Sequence, residues 1–404
     1  MHYEIIFDGK PKEYSTAMAE GDHPELDVSY ELDEDGIKRY QSLIGALQWA
    51  ITLGRFDLLV GVATMSSFRI SPRKGHLQRL QRMYGYLKRN PDAAIRFRVG
   101  IPNHESIGTP IAYEWITSVY GPVSEELPHD MPIPRGNPVR TTTYEDANLM
   151  HDLVTGRSMT GILHVLNQTP IQWFSKKQNV VETATYGSEF MAARQAVEQI
   201  MDLRYTLRMM GIPLDGPAWM FGDNQSVLTS STVPHSNLNK RHNALSYHRV
   251  REAVAANIIN FMHVEGVCNP SDIFTKFIGW NKFWPLVRPL LFWQGETLQD
   301  SNSTTPLPQL IKASNGITTS ELRSVSSANH AKICQLEIPV LSSYQTPAEL
   351  ESTVSYGYFS PSGEGQKVCQ ADTKSDIFSG ASAHKTSLHL EGYLVRTSSA
   401  HQDL

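Results

Sequence analysis

The chain has 404 residues, 40% of them hydrophobic and 19% charged, with a net charge of −5. That balance excludes a largely disordered chain, a membrane-embedded one and a protein basic all over. No apolar run approaches the roughly 20 residues that cross a bilayer, and no basic-then-apolar leader opens the chain.

Three well-separated cysteines (Cys268, Cys334, Cys369) offer neither a Cys-x-x-Cys zinc pair nor a disulfide framework. The expected setting is therefore reducing and intracellular. Residues up to about Val28 read as loop. From Asp33, apolar positions Leu43, Leu47, Ala50 and Ile51 recur at helical spacing, and Leu58, Val62 and Met65 form a second series. Leu77, Leu80, Tyr84 and Leu87 then line a helix predicted to start at Ser71-Pro72 and stop at Asn90-Pro91. Its other face is basic, with Arg73, Lys74, Arg79, Arg82, Lys88 and Arg89. Such a face is usually solvated surface; here phosphate contact is the functional alternative.

Pro-rich "LPHDMPIPRGNP" reads as a linker, and residues 1–135 as a unit ending with it. Three predicted strands follow, in "VRTTTYEDANL", "TGRSMTGILHVL" and "TPIQWFSKKQ". A long helix carries the stripe Phe190, Ala193, Val197, Ile200, Leu203, Leu207 and Met210, and Gly211 ends it. Then come a strand in "PAWMFGD", a short helix, a polar loop, an amphipathic helix in "ALSYHRVREAVAAN", a strand in "IINFMHVEG" and a helix opening near "NPSDIFTK". Residues 136–296 thus read as an α/β unit on a mixed sheet. Residues 297–404 are Ser/Thr-rich without sustained period and are expected to be mostly disordered.

Four acids stand at element ends: Asp146 on the first strand, Glu189 opening the long helix, Asp223 ending the fourth strand, and Asp272 opening the last helix. Taken singly, each has an ordinary explanation as helix cap, ion pair or surface charge. Together at one sheet edge they would repel one another unless cations neutralised them. An all-oxygen set suits Mg²⁺ or Mn²⁺, and a pair of such ions suits phosphodiester displacement.

The block from Tyr144 to Lys276 resembles the ribonuclease H domain of copia-type LTR retrotransposon polyproteins. The matching stretches are "YEDAN", "TGRSMTG", "PIQWFSKKQNVVETAT", "SEFMAA", "GDNQSV" and "NPSDIFTK". The resemblance implies a ribonuclease H-like five-stranded mixed sheet with flanking helices. It also implies that Asp146, Glu189, Asp223 and Asp272 are metal-binding catalytic acids for two Mg²⁺ or Mn²⁺ ions. Gly187 stands where relatives usually carry a further acid, and His263 has no clear counterpart in the His loop of cellular enzymes, so it is read as structural. Residues 33–100 are similar to the segment after the polymerase palm, making 1–135 a mainly helical reverse-transcriptase remnant. Adjacent aspartates, the polymerase signature, occur nowhere.

The implied function is an endonuclease cutting the RNA strand of an RNA–DNA hybrid, with the missing polymerase portion as partner and no membrane. Its expected setting is a cytoplasmic retroelement particle or the nucleus. Candidate nucleic-acid contacts are Asn224, Gln225, Lys176, Lys177, Lys74, Arg79 and Arg82, with Lys240 and Arg241 as further basic positions. The rivals are a catalytically inactive remnant or nucleic-acid-binding domain, and a DNA-processing nuclease of the same superfamily.

Overall fold

The N-terminal helices follow the apolar spacing. The structure, a computed structural model, describes residues 12–293 apart from 105–107, 111–112 and 239. The expected disordered tail lies outside the described residues. Helix α1 (Glu34–Thr52) is capped by Asp33, which accepts from Gly36 N at 2.8 Å. Helix α2 (Leu59–Met65) follows, then α3 (Lys74–Arg89). α3 begins two residues later than the Ser-Pro signal suggests, with Arg73 in place of Ser71 at the cap. The Arg73 N–H donates to His76 Nδ1 at 3.0 Å, while His76 Nε2–H donates to Pro24 O at 2.9 Å.

Strands β2 (Thr141–Asn148), β3 (Met159–Leu166) and β4 (Thr169–Lys177) form an antiparallel meander. β5 (Ala218–Gly222) and β6 (Ile259–His263) add to β2 in parallel, giving the five-stranded order β4-β3-β2-β5-β6. Parallel neighbours need crossovers. These are α4 (Thr185–Met209), and α5 (Gln225–Thr232) with α6 (Ala244–Ala255). A two-residue strand β1 (Ala94–Ile95) pairs antiparallel with β7 (Leu291–Phe292), Ala94 opposite Phe292 and Ile95 opposite Leu291, a contact between distant parts of the chain that local pattern cannot announce. The expected mixed α/β sheet with flanking helices, preceded by a helical region, is present.

One expected element differs. Within "NPSDIF" the chain forms a 3-10 turn, Pro270–Phe274, and the last helix among the described residues, α7, spans Trp280–Val287. Asn269 caps the turn: its Oδ1 accepts from Ser271 N–H, and its Nδ2 donates to Glu145 O at 2.9 Å. The turn is thereby tied to β2.

Strand alternation gives the sheet two apolar faces. Ile162, Ala218, Met220 and Phe261 pack with Phe190, Val197 and Ile200 of α4 and Val250 of α6. Tyr144, Leu163, Val165 and Phe221 join the other cluster, continuous with Tyr40, Ile44 and Leu47 of α1, Leu80 and Met83 of α3, and Phe283 and Leu286 of α7. Phe56, before α2, stands 5.1 Å from Trp173 of β4 and 6.0 Å from Phe274, ring to ring. The helical region and the sheet share one core. At ~25 cal/mol per Å² of apolar surface, uncovering that face costs many times what surface ion pairs return. A fragment covering residues 136–293 is expected to be insoluble, or to melt at least ~10 °C below the full chain in a thermal scan.

Candidate active site

Asp146 lies two residues before the end of β2 rather than at its last position, and its side chain is fully buried. Its register partner on β3 is Gly161. A Cβ at Gly161 would lie 2.6 Å from Thr275 Cγ2 and 2.9 Å from Ser271 O. The absent side chain is what lets the 3-10 turn rest on the sheet and bring Asp272 towards Asp146. β5 contributes Asp223 one residue past its end. Ligand oxygens of Asp146, Asp223 and Asp272 all lie within 4.8 Å of one another.

The capping explanation of Asp223 fails on its neighbour. Asn224 is the N-cap of α5, its Oδ1 accepting from Ser226 N at 3.1 Å and Val227 N at 3.2 Å. Asp223 therefore keeps its carboxylate for the cluster, and Asn224, expected at nucleic acid, is occupied with the helix. Gln225 is exposed, its amide reaching Thr229 Oγ1 at 3.4 Å.

Glu189 sits on the first turns of α4, and its Oε2 accepts from Ala147 N–H at 3.0 Å. It stands beside the three aspartates rather than within their group. Glu145 is an acid that the strand-end reading passed over, because it is simply the residue before Asp146. It is buried, and its Oε2 lacks a hydrogen-bond partner. Its Oε1 would lie 2.2 Å from a Cβ at Gly222, so glycine there makes the room it occupies. The place of the acid absent at Gly187 is filled differently: Glu182 Oε2 would lie 2.1 Å from a Cβ there, and His242 Nε2 contacts the same oxygen at 3.1 Å.

Lys276 and Thr275 were also passed over, although both belong to the quoted "DIFTK". Lys276 Nζ donates to Asp272 Oδ1 at 2.8 Å and to Asp146 Oδ1 at 3.2 Å. Thr275 Oγ1–H donates to Asp146 Oδ2. His263 Nε2–H donates to Asp223 O at 3.0 Å, in keeping with a structural role.

Burial first, and then the neighbouring acids, push the carboxyls of Glu145, Glu189 and Asp223 up from the ordinary carboxylate range. Asp272 is pushed up to about 7 by burial and by Asp146, against the pull of Lys276. Burial opposes the Lys276 charge, but Asp146 and Asp272 outweigh it and hold the ammonium above its usual range. The donor chemistry fits a hard divalent cation: oxygen ligands converge, no His or Cys is in the group, and an orphaned carboxylate oxygen lies alongside.

The basic residues divide. Arg79 is turned inward, both to Asp22 at 2.8 Å and to Asp27 at 2.6 Å. Arg82 donates to Thr16 Oγ1 at 3.1 Å and stacks 4.4 Å over Tyr14. Both fasten the N-terminal segment to α3. Lys177 pairs with Asp152 at 2.6 Å. Lys176 and Lys74 are exposed, with Lys74 Nζ 5.7 Å from the Tyr30 ring. Lys240 Nζ reaches Thr183 Oγ1 at 3.3 Å and Arg241 is exposed.

No family model matches the chain. The retrovirus-related Pol polyprotein from transposon RE1 of Arabidopsis thaliana is 26% identical over 239 residues, 59% of this chain and 14% of that protein. The corresponding polyprotein from transposon TNT 1-94 of Nicotiana tabacum is 24% identical over 60% of this chain and 16% of its own length. This chain is a relative of plant-transposon Pol polyproteins. It spans about a seventh of the length of the relative from Arabidopsis thaliana. Among solved structures, RNase H1 of Halobacterium salinarum is 17% identical over 34% of this chain and 94% of its own, with a TM-score of 0.27. At that score the likeness has no weight of its own, and the fold rests on the strand order and directions given above. No helix among the described residues is long and apolar enough to cross a membrane.

The raised carboxyls set the sign of a pH effect. Asp272 binds its proton more tightly folded than unfolded, so folding gains from it below pH ~4 and loses that gain as pH rises to about 7. In metal-free buffer the melting temperature is expected to fall between pH 4 and 7, and Mg²⁺ at pH 8 to restore it. A melting temperature that stays flat over that window would contradict the acid coupling.

Proposed function

We propose that this chain carries a divalent-metal-dependent, ribonuclease H-type endonuclease that cuts the RNA strand of RNA–DNA hybrids, working with the remaining polyprotein. The observation that carries the reading is the convergence of the Asp146, Asp223 and Asp272 oxygens within 4.8 Å at one end of the sheet. The kinship with transposon Pol polyproteins supports it.

Asp146, Asp223 and Asp272 would hold the cations, with the buried carboxyls of Glu189 and Glu145 beside them. Two Mg²⁺ or Mn²⁺ ions, when bound, supply Lewis-acid stabilisation and an activated water for in-line displacement at a phosphodiester. The protein's part is placement. Thr275 fixes one oxygen of Asp146, and Ala147 N–H fixes Glu189. Asn224 takes the capping duty, which frees Asp223. Exposed Lys176 and Gln225 are the candidates to meet the hybrid, where selecting RNA requires contact with 2′-hydroxyls.

Asp223→Asn is expected to fold normally, since Asn224 still caps α5. It should cut a labelled hybrid at least ~10³-fold more slowly in Mg²⁺, because a metal-holding charge is lost. Full activity of that variant would refute the reading. Cleavage of duplex DNA in place of the hybrid by the unaltered chain would favour a DNA-processing nuclease.

A further inference from the structure

The acids are not left without a cation. Asp146, Asp223 and Asp272 surround a volume that a side chain of the protein already enters: Lys276 Nζ lies 2.8 Å from Asp272 Oδ1 and 3.2 Å from Asp146 Oδ1. The chain delivers it there from the same 3-10 turn, since Lys276 N–H donates to Asp272 O at 3.1 Å and Thr275 Oγ1–H donates to Asp146. Mg²⁺ binds carboxylate oxygen at ~2.0–2.1 Å and takes a position among its ligands. An ammonium that bridges two of the three carboxylates stands in that position. Two cations crowded against the same oxygens repel each other.

Lys276 also has somewhere to go. Its side chain is 32% exposed, while that of Asp146 is fully buried. Four flexible methylenes carry the ammonium, so it can leave the oxygens without moving the backbone.

On the metal-dependent reading given above, we propose that Lys276 is a positioning residue that acts as a resident cation: it holds the acids together before metal arrives and yields its place when metal binds. The site exchanges an ammonium for a divalent ion. Metal affinity is then set partly by the cost of evicting the lysine, and the acids do not spring apart between turnovers.

The test uses the full chain, with Lys276→Met and Lys276→Gln beside the unaltered protein. Gln keeps a hydrogen-bond donor and loses only the charge. Mn²⁺ binding is measured by calorimetry, and melting temperature is read in metal-free buffer and in saturating Mn²⁺. Both variants are expected to bind Mn²⁺ on the order of tenfold more tightly. They should melt several degrees lower without metal, on the order of 5 °C, and recover to the unaltered protein's value with it.

A lysine that merely braces the fold gives the same deficit with and without Mn²⁺, which overturns the proposal. So does unchanged or weaker Mn²⁺ affinity. Variants that fold only when Mn²⁺ is present support the exchange; variants that fold in neither condition overturn it. If the unaltered protein takes up no Mn²⁺, the metal-dependent reading falls and the exchange falls with it. If all three proteins bind Mn²⁺ equally, only the exchange falls.

Discussion

Repulsion among acids held close at one end of a sheet is the constraint on which this structure turns. Asp146, Asp223 and Asp272 crowd together, Glu189 and Glu145 stand beside them, and Lys276 is the ammonium in their midst. Like charges 4 Å apart cost about 4 kcal/mol at the effective dielectric of a protein surface, and more when water is excluded. A domain stable by only ~5–15 kcal/mol tolerates such a cluster only where the surrounding fold fixes it and protons or cations relieve it. The raised carboxyls describe the first form of relief and Lys276 the second.

The fold supplies the fixing through close approach. Two glycines mark the points where backbone or carboxylate comes nearer than a side chain permits: Gly161 under the Asp272 turn, and Gly222 under Glu145. The turn itself is pinned to β2 by Asn269 and Thr275. Behind these contacts lies an apolar core running from α1 and α3 through Tyr144, Phe221 and Phe274. That continuity makes the helical region part of what holds the acids in place.

Much of this was legible in the sequence, and the reasons differ from element to element. The three strands of the meander and α4 announced themselves through turn chemistry and period, since their apolar patterns are local. The acids could be picked out because strand ends and helix starts converge by topology. Asp272 has a different element around it from the expected helix start: it lies within a five-residue 3-10 turn whose tie from Asn269 to Glu145 O is a tertiary contact. Arg79 and Arg82 looked like an outward basic face. Their partners Asp22 and Thr16 lie 57 and 66 residues earlier, beyond the reach of periodicity. Glu145 and Lys276 were hidden by position, one adjacent to Asp146 and the other four residues beyond Asp272.

The most direct measurement is the anomalous signal from a crystal of the protein soaked in Mn²⁺. The expected result is a peak among Asp146, Asp223 and Asp272 at roughly 2 Å from their oxygens. Lys276 Nζ should then no longer bridge Asp146 and Asp272. A Mn²⁺ peak elsewhere, with the three aspartates unliganded, would contradict the account at its centre.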